Sequence, residues 1–480
     1  SEYLTFDLLY QVSYMSAIAT AGIPRNKIFE FACQLPCYTS RYFKEIQTLA
    51  EKMRYDYATA CRKVGETARE EPVRGLLLRW SSAMTAGEAE ADFLGQEAKI
   101  SVQAFENAYI GSVDSLRQWT EAYAAIIIST ALIVMVSAIS MLIYPVATGI
   151  TVMVIGLTIA TGIAGAYVIW KIAPKEIRLH SPAPYCIPIR RARRLQRVLV
   201  PAAVVSFLTV LVAGAGIGWA LIICSALLLP VGIAGIIVDR HVKRKDVDIA
   251  TLLRTTGNVA SAVGITTSQA LDKLDLRSTT YLTEDIKHLR SRLLSRLNPN
   301  LCWERFSLET GSETVYRSVK MFNDATRLGG EPHEAGERSA LLPMSINFLR
   351  AKRSQVSASF RMLALGLHIT VVGLLTFVVQ VIMAFSNIAG SMYVESIEGI
   401  ESTAIEVFAL NFETVKILDY LTKPTLILMA ITIAFAAKTA EGGSNYTIFT
   451  YLAITLATAG IGMIIVPVIA SGFFTPVTGF

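Results

Sequence analysis

Residues 122–170 read AYAAIIISTALIVMVSAISMLIYPVATGITVMVIGLTIATGIAGAYVIW, without one Asp, Glu, Lys or Arg. A helix crosses the hydrocarbon of a bilayer in about 20 residues. This stretch is therefore long enough for two spans, turning near Pro145 and Gly149. Four more uncharged stretches follow: Val198 to Val238, Met362 to Val394, Pro424 to Ala437 and Gly442 to Phe480. The second divides into two spans at Gly214-Ala215-Gly216. The fourth is short and recruits Ile417, Leu418, Tyr420 and Leu421 to reach across. The expectation is an all-α polytopic membrane protein of about seven spans, grouped two, two and three. Composition agrees: 53% of the 480 residues are hydrophobic, 17% are charged and the mean hydropathy is +0.47. A disordered or collagen-like chain does not have these values.

Lys and Arg in short flanking segments set orientation. Between Lys171 and Arg197 stand Lys171, Lys175, Arg178, Arg190, Arg191, Arg193, Arg194 and Arg197 against one acid, Glu176. Arg240, Lys243, Arg244 and Lys245 follow the fourth span, and Arg350, Lys352, Arg353 and Arg361 precede the fifth. Residues 395–423 hold six acids and two bases. We expect the basic segments in the cytoplasm, the acidic one outside, the N-terminus inside and the C-terminus outside. Residues 1–10 lack the basic start, apolar core and small-residue cleavage site of a signal peptide, so the first span is expected to direct insertion.

The expected organisation is a bundle at 1–120, spans at 121–170, a basic loop at 171–197, spans at 198–238, a second bundle at 239–361 and spans at 362–480. Pro174, Pro182, Pro184 and Pro188 suggest an extended loop at 171–197. Both polar regions show helical spacing. Ile46, Leu49, Ala50 and Met53 make one apolar stripe; Ile286, Leu289, Leu293 and Leu297 make another. The regions also align. Ala21-Gly22-Ile23 matches Val263-Gly264-Ile265, Cys61 matches Cys302, and Ala86-Gly87-Glu88 matches Gly329-Gly330-Glu331. The pattern is an internal duplication. Each first Gly suits a left-handed helix end, and each Gly-Glu pair suits the opening of a later helix.

These paired turns, each placed before membrane spans, resemble the type II secretion F domain. That family supplies the membrane platforms of type IV pilus-like machines. Its early turn is present as Gly22-Ile23-Pro24 and, without the proline, as Gly264-Ile265-Thr266; the late turn is Gly87-Glu88 and Gly330-Glu331. Bundle, four spans, bundle, three spans is similar to the archaeal form, which serves an archaellum or an adhesive pilus. The resemblance implies a cytoplasmic hexameric ATPase as partner, pilin or archaellin subunits in the membrane, and a homodimer. It also implies partner contacts at the bundle turns, where Gly22, Pro24, Gly87, Glu88, Gly264, Gly330 and Glu331 stand.

Charge adds further candidates. The second bundle has 20 bases and 14 acids, the first 13 and 15. Arg290, Arg292 and Arg296 lie on or beside the second stripe and are candidate partner contacts. Arg190, Arg191, Arg193, Arg194 and Arg197 form a basic patch for the lipid bilayer or an acidic partner. Nucleic acid is not expected there, because the segment has one aromatic residue, Tyr185.

Enzymatic chemistry is not expected. The chain has no Gly-Lys dipeptide, hence no phosphate-cradling Walker loop, and no Gly-x-Ser-x-Gly or His-Glu-x-x-His. His180, His241, His288, His333 and His368 are too scattered for a metal site, and no cofactor is expected. An ion-coupled transporter usually keeps a charge within its spans, and these have none. Two alternatives stay open: a transporter or channel lined by hydroxyls such as Thr148, Thr151, Ser206 and Thr370, and a receptor sensing ligand through residues 395–423. Asn445-Tyr446-Thr447 is a glycosylation sequon that the expected topology leaves inside.

Overall fold

The computed structural model describes residues 4–143, 148–180, 185–395 and 412–474. The described residues are helical almost throughout, and seven helices are long and apolar enough to cross a membrane. They fall into two compact units. Unit 1 comprises residues 1–111, 174–190 and 238–352; unit 2 comprises 112–173, 191–237 and 353–480.

Unit 1 begins with α1 (Leu4–Ala19), which is buried at every position from Phe6 to Ala19. An all-round apolar helix of this kind belongs in a core. Around it stand α2 (Arg25–Cys33), α3 (Ser40–Lys52), α4 (Tyr57–Thr67), α5 (Glu71–Ala86) and the first part of α6 (Glu90–Ile143). Phe29 stacks on Trp80 at 4.6 Å and on Tyr57 at 4.8 Å, which fastens α2, α4 and α5 together. The second half supplies the end of α9 (Ile217–Val263), α10 (Thr267–Ala270), α11 (Thr283–Leu294), α12 (Pro299–Thr310), α13 (Glu313–Arg327) and the start of α14 (Pro332–Glu395). In it Trp303 packs against Phe306 and Phe322. α1 of the first half lies against α13 of the second, so the two expected bundles form one body.

The duplication is visible in the backbone. Gly22 and Gly264, Arg54 and Arg296, and Gly87 and Gly329 are left-handed pairs, each 242 positions apart. The same spacing separates the N-caps Asp56 and Asn298 and the helix starts Glu71 and Glu313. Gly329, not Gly330, is therefore the counterpart of Gly87. In both turns the left-handed residue bonds back three positions and its successor bonds back five (Glu88 N–H to Ala83 O, Gly330 N–H to Ala325 O).

Unit 2 holds the remainder of α6, α9 and α14, together with α7 (Thr148–Ile172), most of α8 (Ile187–Val212), α15 (Phe412–Glu441) and α16 (Ile448–Phe474). α15 packs on α7 and α16. The common core runs through Tyr123, Ile169, Leu228, Val372, Met429 and Leu456. α8 and α9 turn at Gly214 and Gly216, both left-handed, as the sequence suggests. Small residues bring helices close. A Cβ at Gly165 would sit 2.2 Å from the Tyr123 ring, and one at Gly460 would sit 2.7 Å from Gly218 O. His368, buried in α14, meets the Thr455 carbonyl at 2.9 Å through Nε2.

Four expectations change. Arg190 to Arg197 lie in α8 rather than in an extended loop, because Pro188 stands at the second helical position, where its missing N–H breaks no helix bond. Pro182 and Pro184 lie outside the described residues. Of the segment 395–423, residues 396–411 also lie outside them, and from Phe412 the chain is helical as the start of α15. Met53 and Leu297, counted as ends of the apolar stripes, fall beyond α3 and α11 and are exposed. The turn near Pro145 is likewise outside the described residues, while Gly149 belongs to α7.

Candidate functional site

The most elaborate polar construction in unit 1 surrounds the start of α13. Gly311, at φ +71°, ends α12, and Ser312 caps α13 by accepting the Val315 N–H. The Ser312 hydroxyl also donates to buried Asp246 of α9. Against this corner lies the strap 174–180. Leu179 pairs antiparallel with Ser312 as a single β-bridge, His180 N–H donates to Gly311 O at 3.1 Å, and Glu313 N–H donates to Arg178 O at 3.0 Å. The close fit requires glycine at 311, since a Cβ there would stand 2.9 Å from Cys186 Sγ.

Two buried ion networks meet at this corner. Arg350 of α14 donates to Glu176 of the strap at 2.7 Å and to Asp246 at 2.6 Å. Arg317 of α13 donates to Glu313 at 2.7 Å and to Asp7 of α1 at 3.2 Å, and its guanidinium lies 4.6 Å from the ring centres of Phe6 and Tyr10. His180 closes the second network, 2.7 Å from Glu313 through Nδ1 and stacked on Tyr316 at 4.1 Å. Elsewhere between the halves Tyr14 OH donates to Asp324 at 2.8 Å, and Arg338 donates to the carbonyls of Ser16 and Ala91. These bonds key the strap and both halves into one body. The groups are acids and bases paired with one another, an arrangement suited to holding shape.

Burial pushes the Glu313 carboxyl up, but the His180 hydrogen bond and the Arg317 charge outweigh it and hold the group below the usual glutamate value of 4.5. A carboxylate depressed in the folded state stabilises fully above its unfolded value, and that contribution fades as pH falls through the folded value. We expect Glu313→Gln to destabilise the protein by about 2 kcal/mol at pH 7, as for loss of a hydrogen-bonded buried charge. The gap to wild type should narrow as pH falls below the usual glutamate value and through the lower folded one, because a protonated Glu resembles Gln. Thermal unfolding of both proteins from pH 7 to pH 3 checks this; a gap that stays constant refutes the assignment.

A cleft of about 240 Å³ lies beside this corner, lined by Tyr14, Gln34, Asn300, Trp303, Asp324 and Arg327 among others. Burial and the neighbouring Asp324 charge push the Tyr14 hydroxyl far above its ordinary range, so it stays a donor.

The sequence-derived candidates scatter over unit 1 and α8. Gly22 turns the chain after α1, and Pro24 stands at the N-cap of α2. Gly87 and Glu88 close α5. Gly264 closes α9. Gly330 is a point of close approach, where a Cβ would sit 2.5 Å from Thr20 Oγ1. Glu88 and Glu331 are exposed and precede α6 and α14, whose first turns carry Glu90, Asp92 and Glu334 instead. Arg290 pairs with Asp272, and Arg292 holds Glu309 with two bonds of 2.7 and 2.9 Å. Arg296 is exposed in the following turn. Arg190, Arg191, Arg194 and Arg197 are exposed and Arg193 is half-buried, all five outside any ion pair found among the described residues. The Asp7–Arg317–Glu313–His180 network was missed. Its only sequence signal is charge within apolar helices, as at Asp7 in α1.

Comparison with known proteins gives two relatives of one name. The chain is 25% identical over 329 residues to the flagella accessory protein J of Methanococcus voltae, covering 65% of this chain and 58% of that protein. It is 25% identical over 221 residues to the flagella accessory protein J of Methanocaldococcus jannaschii, covering 45% of this chain and 38% of that protein. These matches support an archaellum-related family. The aligned part spans less than two thirds of either relative's own length. No family model matches the chain, the type II secretion F domain included, and no solved structure matches it.

Proposed function

We propose that this protein is a non-enzymatic membrane platform of an archaeal type IV pilus-like machine, and specifically of an archaellum. In this reading a cytoplasmic hexameric ATPase docks on unit 1, and archaellin subunits are drawn from the bilayer beside the spans into a growing filament. The N-terminus is cytoplasmic, the C-terminus is outside, and the protein works as a homodimer. The observation that carries the reading is the shared similarity to two archaeal flagella accessory proteins. The ion-paired body of unit 1 supports it, because a part that is pushed or turned must hold its shape. α8 supports it as well: Val198, Val204, Val205, Leu208 and Val212 form an exposed apolar surface of the kind lipid or an apolar partner helix covers. Two of the four hydroxyls considered for a transport path are engaged locally: Ser206 donates to Ala203 O at 2.9 Å and Thr370 to Gly366 O at 3.1 Å.

The test is gentle solubilisation of the tagged protein from its native membrane and mass spectrometry of what accompanies it. We expect a secretion-type hexameric ATPase and archaellin subunits. Adhesive pilins in place of archaellins would move the assignment to a pilus. Recovery of the protein alone after crosslinking would refute the platform reading, and crosslinks confined to monomers would refute the dimer.

A further inference from the structure

Of the seven apolar helices α8 is the least covered. In its most apolar stretch 6% of the residues are buried, against 22% to 50% in the other six. Ala192 and Ala203 are 0% and 1% exposed and mark its packed side. At 3.6 residues per turn, the opposite arc of about 120° holds Arg191, Arg194 and Arg197, followed by Val198, Val205, Leu208 and Val212. The three arginines are exposed, and the four aliphatic side chains are 55% to 90% exposed. One face of one helix therefore carries a row of guanidiniums that runs into a row of uncovered apolar groups.

Among the described residues nothing balances these charges. No Asp or Glu occurs between Ile177 and Val238, and none of the three arginines enters an ion pair among the described residues. Arg191 stands near the start of α8, where the helix dipole favours acids instead. Their depth is the second observation. α8 and α9 both run from the turn at Gly214 and Gly216. α9 stays uncharged for the 22 residues Ile217–Val238, about 33 Å, which fills the hydrocarbon. The same length counted back along α8 from Val212 ends at Arg191. Yet α8 is uncharged only for the 15 residues Val198–Val212, about 22 Å. Arg194 and Arg197 thus fall about 5 and 9 Å inside the edge that α9 sets. A charge at that depth reaches along its own stem to the nearest phosphate.

We propose that this face of α8 is a binding site for an anionic membrane phospholipid. Arg191, Arg194 and Arg197 hold the phosphate, and an acyl chain covers Val198, Val205, Leu208 and Val212. Guanidinium forks match phosphate oxygens two at a time, which a diffuse positive patch does not require. A second copy of the chain does not fit this face. A two-fold contact would set each row of arginines against its own equivalent, with no acid between them. An acidic protein fits less well than lipid, because the charges lie at headgroup depth and continue into an apolar surface. The site is independent of the platform reading, since it concerns only how α8 sits in its bilayer.

The experiment is native mass spectrometry of the full chain in a neutral detergent, titrated with dioleoylphosphatidylglycerol or dioleoylphosphatidylcholine. We expect the anionic lipid to bind about tenfold more tightly. Arg194→Gln/Arg197→Gln should weaken it about thirtyfold, the equivalent of two charges near a membrane surface. Both residues are exposed, so the unfolding temperature without lipid should not change. Arg240→Gln/Lys243→Gln removes the same charge from exposed positions of α9 and should weaken binding less than about threefold. Inorganic phosphate at the lipid's concentration should not displace the lipid. In the native membrane, a photo-reactive phenylalanine at Val205 should capture phospholipid. Equal binding of the two lipids, equal loss in the α9 variant, displacement by phosphate, or capture of a polypeptide at Val205 overturns the proposal.

Discussion

Arg350→Met destabilises the protein by about 3–5 kcal/mol, the range for removing one partner of a buried ion pair. The side chain of Arg350 is 6% exposed, and its partners Glu176 and Asp246 are 7% and 0% exposed. Methionine fills much of the volume but removes the cation that bridges the two carboxylates, leaving Arg178, 3.3 Å from Glu176, as the remaining base at this pair. One of the two acids would then have to take up a proton or draw in water, and either outcome loosens the strap that Glu176 anchors. The control is Arg350→Met combined with Glu176→Gln and Asp246→Asn. Removing charge and countercharge together should recover more than half of the loss, since desolvation of the acids is relieved along with the attraction. Thermal or denaturant unfolding in mild detergent reads both. A loss under 1 kcal/mol for the single variant would show that the network contributes little to holding unit 1 together.

Gly232→Leu should destabilise unit 2 by about 3 kcal/mol, the upper end for overpacking, because the obstruction is backbone and cannot rotate away. A Cβ at Gly232 would lie 2.6 Å from the Thr450 nitrogen, and one at Gly235 would lie 2.7 Å from the Tyr446 carbonyl carbon. The two glycines sit three residues apart on one face of α9, and α16 begins directly against them. In the apolar phase helices gain little from burial alone, so close backbone approach through small residues carries much of their association. Gly156→Leu is the contrast, since no atom lies within 4 Å of a Cβ there. It should change stability by less than about 0.5 kcal/mol, as surface substitutions do. Unfolding by sodium dodecyl sulfate in mixed micelles compares the two, and equal effects would contradict the α9–α16 packing.

Much of the architecture was legible in the sequence because lipid is an undemanding reader: uncharged runs of sufficient length were enough for seven spans. The duplication was also legible, because left-handed turns restrict residue choice and leave Gly22, Gly87, Gly264 and Gly329 as marks. The register of the late turn was read one residue off, since two adjacent glycines hide which of them is left-handed. The basic segment was misread for a related reason. Prolines signal a broken helix when counted, but Pro188 stands where a helix accepts one. The ion networks were not legible. Asp7, the strap carrying Glu176 and His180, and Arg350 come from three distant parts of the chain, and no local spacing connects the three. The ends of α3 and α11 were hidden by periodicity itself, which carried the apolar stripes onward to Met53 and Leu297 after the helices had ended.

The strap has a consequence for topology that depends on parity rather than charge. Tyr14 touches Asp324, and His180 touches Glu313, within a single body. In the proposed platform unit 1 stands in water, and a body in water lies on one face of a bilayer. The chain leaves it after residue 111 and returns at 174, then leaves after 190 and returns at 238. Each excursion must cross the membrane an even number of times. Sidedness of the three segments is then one binary variable instead of three, and a single reporter on any of them fixes the other two.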